Sequence, residues 1–267
     1  MLTRTTSAAI EVLSAEKTYA NGTQALQAVD LRIEEGEFVT LLGPSGCGKS
    51  TLLKMIAGLL EPSDGRLLLW RKPVSLTEAA AQKLAFVFQS PTLMPWAGVQ
   101  TNVRLPLDLA GMPRPEADAR VADALKLVGL DAFAAALPRA LSGGMQMRVS
   151  IARSLVTEPQ LLLMDEPFGA LDEITRHKLD AELLGLWEAK KLTVVFVTHS
   201  IHEAVFLSTR VVMMAARPGR VVEEFRIDEP YPRTPEFMVT PQFSRYAKRL
   251  QDSLLRASTD TPEATAP

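Results

Sequence analysis

The sequence predicts a doubly wound α/β fold carrying an inserted helical segment, and three observations predict it. Short apolar runs alternate with longer stretches of helical spacing. A glycine-rich turn joins one such run, residues 38–42, to an amphipathic stretch. The alternation then stops between about Val99 and Val156, where helix patterns occur and no convincing strand does. Short apolar runs suit strands buried on both faces of a parallel sheet, with helices supplying the crossovers.

Taken in order, residues 1–9 are rich in Thr and Ser and lack the apolar stretch of a signal peptide. Val29, Leu31 and Ile33 alternate with Asp30 and Arg32, as in a half-buried strand. Residues 38–42 form a compact apolar run ending at Gly43, and Leu52, Leu53, Ile56 and Leu60 then follow helical spacing. Residues 84–88, 161–164, 194–197 and 211–214 read as further strands. Residues 117–127 hold helix formers with apolar positions at Val121, Ala124 and Leu125, and Gly129 is a C-terminal stop. Beyond Phe225 lies a stretch spaced by Pro230, Pro232, Pro235 and Pro241, then a helix over 243–255 expected to pack on the core or on a partner. Residues 258–267 have no bulky apolar side chain and are expected to be disordered.

Composition excludes several classes. With 47% hydrophobic and 22% charged residues among 267, the chain is globular rather than disordered. A net charge of −2 argues against a polyanion-binding surface, so no nucleic-acid partner is expected. The single cysteine, Cys47, leaves no internal disulfide and fits a reducing compartment. No apolar run approaches the ~20 residues of a spanning helix, and the expectation is a chain made in the cytosol that stays there.

The segment Gly43-Pro44-Ser45-Gly46-Cys47-Gly48-Lys49-Ser50-Thr51 fits G-x-x-x-x-G-K-[ST] between a strand and a helix. Glycines let successive N–H groups curl around phosphate oxygens, and the helix N-terminus adds partial positive charge. Lys49 is then placed for the β- and γ-phosphates, and the Ser50 hydroxyl for Mg²⁺. The apolar run 161–164 ends in Asp165 and Glu166. Asp165 suits the Mg²⁺ shell, and Glu166 is positioned to polarise an attacking water. Either feature alone has a bland reading, as a strand-to-helix turn or an acidic turn. Together they point to hydrolysis of a nucleoside triphosphate.

Between these two segments, Ser142-Gly143-Gly144-Met145-Gln146 opens a helical stretch with Ser142 as its N-cap. In this place it resembles the signature motif of ATP-binding-cassette (ABC) ATPases, although Met145 stands where the family usually has Gln. Further landmarks of that family fall in order. Gln89 follows the run 84–88 like the Q-loop glutamine, Asp172 in Gly169-Ala170-Leu171-Asp172 resembles the D-loop aspartate, and His199 sits at the switch-histidine position. Tyr19 resembles the aromatic that stacks on adenine, with core packing as the alternative. Asp172 has bracing of its loop as an alternative. His199 and His202 are three apart, but with no cysteine or third histidine nearby they are not read as a metal site.

The resemblance covers residues 10–222 and implies an α/β fold: a P-loop nucleoside-triphosphatase core with a parallel-dominated sheet, an antiparallel β segment near the N-terminus and an inserted helical subdomain. The implied division is 1–90 for the first part of the core, 91–157 for the helical subdomain, 158–228 for the second part of the core, and 229–267 for a short extension. ATP and Mg²⁺ are the implied cofactors, with Ser50, Gln89 and Asp165 on the metal, Glu166 as general base and His199 on the γ-phosphate. The implied partner is a second cassette, a copy of this chain or a relative, paired head to tail so that Ser142, Gly143, Gly144 and Met145 complete its site.

Short spacing between Lys49 and Leu141, without heptads, fits poorly with coiled-coil relatives that maintain chromosomes. Residues 94–96, 168–172 and 216–221 are similar to the nitrate, sulfonate and taurine importer group. That likeness implies an importer subunit on the cytoplasmic face of the cell membrane, working with integral permease subunits and indirectly with a periplasmic solute-binding protein. Residues 90–96, with their Pro, apolar and Trp content, are a candidate groove for the permease or a loop packed on its own core. The alternatives are an ABC ATPase acting as a mechanical or regulatory switch, and a P-loop kinase of a small molecule.

Overall fold

The computed structural model describes residues 7–74 and 84–259. Among these, the strands form two sheets. The first is antiparallel and joins β1 (Ala8–Thr18), β2 (Gln24–Glu34), β4 (Asp64–Leu69) and β5 (Lys72–Pro73) in the order β2-β1-β4-β5. The second has six strands in the order β10-β9-β3-β8-β7-β6: β10 (Arg220–Arg226), β9 (Arg210–Ala215), β3 (Phe38–Leu42), β8 (Thr193–Thr198), β7 (Leu161–Asp165) and β6 (Leu84–Val87). Only the β9–β10 pair is antiparallel.

The apolar runs explain the second sheet. Every residue of β3 and β8 is buried, which happens when both faces are covered. Because side chains alternate across a strand, each run feeds two cores. Val39, Leu41, Leu163, Val195 and Val197 meet Ile10, Val12, Leu31 and Ile33 of the antiparallel sheet, together with Leu52 and Ile56 of α1 (Lys49–Ile56). Phe38, Leu42, Leu162, Met164, Val194 and Phe196 face the opposite way, into the larger core. Each such side chain contributes about 1.5–3 kcal/mol relative to exposure.

Helices build that larger core: α2 (Val99–Leu109), α3 (Arg114–Leu127), α4 (Gly143–Leu155), α5 (Glu173–Lys190), α6 (Ile201–Leu207) and α7 (Pro241–Thr259). No strand interrupts residues 99–156. Buried Asn102 of α2 fastens the loop before it, accepting from the Met94 N–H at 2.7 Å and donating to the Ala97 carbonyl at 2.9 Å.

Several boundaries differ from expectation. The first helix stops at Ile56, because Gly58 takes a left-handed φ of 70° and leaves Leu60 outside the helix. The strand expected over 84–88 ends at Val87, with Phe88 exposed. The last helix runs on to Thr259, so Ser258 is helical; residues 260–267 of the segment expected to be disordered lie outside the described residues.

That last helix packs on the chain's own core through Phe243, Tyr246, Leu250 and Ala257. The segment leading to it is fastened by buried Arg233. Its guanidinium donates to the carbonyls of Val205, Phe206 and Ser208 at the end of α6, and to those of Ile227 and Glu229.

Candidate active site

Parallel pairing brings the C-terminal ends of β3, β8 and β7 to one edge. Leu42 pairs with Thr198, and Asp165 with Val197. The segments following them, 43–48, 166–172 and 199–200, therefore meet outside the strand ends, where open α/β sheets bind ligands.

The glycine-rich loop turns into α1 at Gly48, whose φ is 86°. A Cβ there would stand 2.5 Å from Leu26 Cδ2, so both backbone angle and space require glycine. Lys49 is 4% exposed. Its ammonium donates to the loop's own carbonyls, Gly43 at 2.9 Å and Pro44 at 3.0 Å. The Ser50 hydroxyl donates to Asp165 Oδ1 at 2.7 Å, across 115 residues of sequence. Burial pushes the Asp165 carboxyl above its usual range, and the neighbouring Glu166 carboxylate adds to this against the Ser50 hydrogen bond. Glu166 has a left-handed φ of 46°, a costly conformation for a residue with a Cβ. Its N–H donates to the Val197 carbonyl at 3.0 Å, and its Oε2 lies 3.4 Å from His199 Nδ1.

Above the loop is a cavity of about 380 Å³ lined by Tyr19, Ser45 to Thr51, Glu166 and Arg217 among others. Tyr19 lines the cavity and is 41% exposed, its hydroxyl 3.2 Å from Thr51 Oγ1. Arg217 and Gly219 form a wall that sequence reasoning did not assign to the site. Gly219 is strapped to the start of β2: its N–H donates to Ala25, and its carbonyl accepts from Gln27. No Cβ would fit between Ala25 and the Cys47 carbonyl. The signal was an Arg-Pro-Gly turn, but nothing local says which loop it meets. Cys47 faces inward, and burial raises its thiol pKa.

The remaining expected residues stand apart from this cavity. Gln89 is exposed beyond the end of β6 and does not line it. Ser142 caps α4, its Oγ accepting from the Met145 N–H at 3.3 Å. Gly143 and Gly144 abut the next loop and the first turn of α5: a Cβ on Gly144 would stand 2.7 Å from Thr175 Cγ2, and one on Gly143 3.6 Å from Leu171 Cδ2. Met145 packs partly into the larger core. Asp172 caps α5 by accepting from the Thr175 N–H at 3.0 Å, which lowers its carboxyl pKa. The His202 ring lies against Phe243, 5.5 Å between centroids.

Comparison with known proteins resolves the family. The family model described as "ABC transporter" matches residues 26–169. The chain belongs to this family. It is an ATP-binding ATPase of the ABC type, with the α/β fold, antiparallel N-terminal sheet and helical insertion expected of it. The taurine import ATP-binding protein TauB of Rhizobium johnstonii is 50% identical over 210 residues, 79% of this chain and 79% of its own. The aliphatic sulfonates import ATP-binding protein SsuB of Bacillus cereus is 43% identical over 211 residues, 79% of this chain and 82% of its own. Among solved structures, a dimeric ATP-binding cassette in a post-hydrolysis state, bound to ADP and Pi, superposes with a TM-score of 0.74. It is 35% identical, covering 83% of this chain and 100% of that one. Among the described residues, no helix of this ABC protein is long and apolar enough to cross a membrane.

Proposed function

We propose that the chain is the ATP-hydrolysing subunit of an importer for a small solute of the nitrate, sulfonate or taurine type, working through a separate membrane permease. The observation that carries the import reading is its likeness to taurine and aliphatic-sulfonate import ATP-binding proteins over 79% of its length. In this reading residues 1–90 and 158–228 form the ATPase core, 91–157 a helical subdomain and 229–267 an extension.

Within the site, Lys49 exchanges the Gly43 and Pro44 carbonyls for β- and γ-phosphate oxygens, a swap its three donors allow. Residues 43–51 wrap the phosphates, and Tyr19 stacks on the base. Ser50 Oγ and Asp165 Oδ1, already 2.7 Å apart, are hard oxygen donors of the kind Mg²⁺ takes alongside nucleotide phosphates. Gln89 would be the further residue to hold the metal. Bound there, the metal neutralises charge developing on the phosphate oxygens. Glu166 takes the proton from the attacking water, and His199 contacts the γ-phosphate.

Ser142, Gly143, Gly144 and Met145 lie outside the chain's own cavity, so they complete the site of a second copy in a head-to-tail dimer, with Asp172 at the same junction. The permease seat is a groove of about 360 Å³ between Phe88, Thr92, Pro106, Leu109 and Arg153, to which the segment 90–96 contributes Thr92 while Trp96 stands exposed outside it. In this reading the protein works peripherally at the cytoplasmic face of the cell membrane. A periplasmic solute-binding protein is the indirect partner.

Two measurements test this. Hydrolysis per chain should fall on dilution, as a shared site requires; constant specific activity would remove the composite site. Affinity capture from host membranes should bring down a permease, and recovery of soluble proteins alone would sink the import role.

A further inference from the structure

Behind the cavity, two carboxylates are buried beside one guanidinium. Asp180 of α5 is 1% exposed and Glu203 of α6 is 4% exposed. Arg176 of α5 brings its Nε to 3.6 Å from Glu203 Oε1. Burial, then the Glu203 carboxylate, hold the Asp180 carboxyl well above its usual range, while Arg176 opposes. Burial likewise raises Glu203 against Thr198, Arg176 and His199, and Glu166 adds to the rise. Asp180 Oδ1 and Arg176 Nε have no hydrogen-bond partner. The cluster is therefore costly, and apolar residues of equal volume would hold these helices together at least as well. Its presence calls for a geometric reason.

Its connections supply one. Glu203 accepts a hydrogen bond from the Thr198 hydroxyl at the end of β8, and Thr198 Oγ1 in turn accepts from the Ser200 N–H at 2.9 Å. These bonds bracket His199. Ser200-Ile201-His202-Glu203 has the spacing of a capping box, and the Ser200 Oγ does accept from the Glu203 N–H at 3.3 Å. The glutamate's return bond, which ordinarily reaches the cap N–H, is relayed here through Thr198. On the other side, Arg176 Nη2 donates to the Leu171 carbonyl at 2.9 Å. Leu171 and Thr175 are the residues against which Gly143 and Gly144 rest. A continuous chain thus runs from the signature glycines through Leu171, Arg176, Glu203 and Thr198 to His199 and Glu166.

We infer that Glu203, held by Arg176, is a positioning residue that couples the signature end of the chain to the loop carrying His199. The inference rests on the head-to-tail dimer proposed above. There the signature senses the partner's nucleotide while His199 faces the chain's own, so this link reports occupancy of one site to the other. Glu203 itself touches no substrate.

The experiment compares wild type with Glu203→Gln, Arg176→Gln, the double variant, and the pair Thr198→Val and Thr198→Ser. Three quantities are read: Kd for ATP, ATP-driven dimerisation in a Glu166→Gln background, and kcat. Glu203→Gln and Arg176→Gln are each expected to lower kcat about tenfold, with Kd and dimerisation within about twofold of wild type. The double variant should lose no more than about twofold beyond the worse single one, because the two act as one link. Thr198→Val should lose about tenfold and Thr198→Ser should regain it; this pair keeps the test open if the charge variants fold poorly. Normal kcat in Thr198→Val and Glu203→Gln, or lost stability with kcat intact, would overturn the inference alone. A wild-type protein that forms no ATP-dependent dimer would overturn the dimer reading and this inference together.

Discussion

The two ends of the chain that make sites are built on opposite principles. At the phosphate-loop end Glu166 is strained at a φ of 46° and the charges are enclosed: Gly48 supplies the left-handed turn at a φ of 86° that a residue with a Cβ would resist, Lys49 is buried, and burial raises the Asp165 carboxyl. At the signature end, Ser142 and Asp172 are relaxed N-caps in extended conformations, at φ of −66° and −63°, each satisfied by a backbone N–H three residues on. Strain of the first kind persists only where surrounding structure enforces it, and it holds reactive groups in place before substrate arrives. The second kind needs no enforcement, because a capped helix start is stable by itself. The contrast supports the proposed reading, in which the first end is a preorganised half of a reaction centre and the second a surface offered to another chain's nucleotide.

The largest effect is expected where strain and chemistry coincide. Glu166→Gln should cut turnover by about 10²–10⁴-fold while retaining ATP binding and trapping an ATP-bound dimer. Near-normal turnover in a steady-state assay would take the base role from Glu166 and blur the contrast.

Next in size is Ser142→Arg, expected to lower kcat by about 10²-fold with the Kd for ATP unchanged, since Ser142 does not line the chain's own cavity. Mixed with Lys49→Ala subunits, it should restore at most half the sites. A raised Kd with normal kcat would place the signature on its own chain's nucleotide.

The smallest effect is on stability. A carboxyl whose folded pKa is raised binds its proton more tightly folded than unfolded, so its stabilising effect is present in acid and is lost as pH rises through the raised value. Asp165→Asn should therefore unfold at higher temperature than wild type near pH 8. The advantage should vanish below about pH 4. Equal melting temperatures across this range would show that the phosphate-loop end carries no such burden.

Much of the fold was legible. Residues 38–42, 161–164 and 194–197 announce central strands because both faces are buried and the apolar run is unbroken. β1, β4 and β10 escaped notice because they mix exposed polar with buried apolar residues and contain register shifts that spoil strict alternation. The phosphate loop was legible because its glycines, Lys49 and Ser50 act at fixed local spacing. The opposite wall of the cavity was not. Arg217 and Gly219 reach it through the bridge of Gly219 to Leu26, two residues far apart in the sequence. Glu203 was equally hidden, since on a short helix it looks like a solvated cap partner until burial is known.

The sequence by itself determined the strand–loop–helix cradle, the acids at the end of a buried strand and the capped signature helix. Each depends on backbone preferences acting over a few residues. Tertiary structure alone decided that Ser50 meets Asp165, that Glu166 lies beside His199, and that Arg176 and Glu203 join the loops behind them. Those contacts arise from strand order and register in a parallel sheet. Neighbours there are set by how crossover helices pack, not by proximity along the chain.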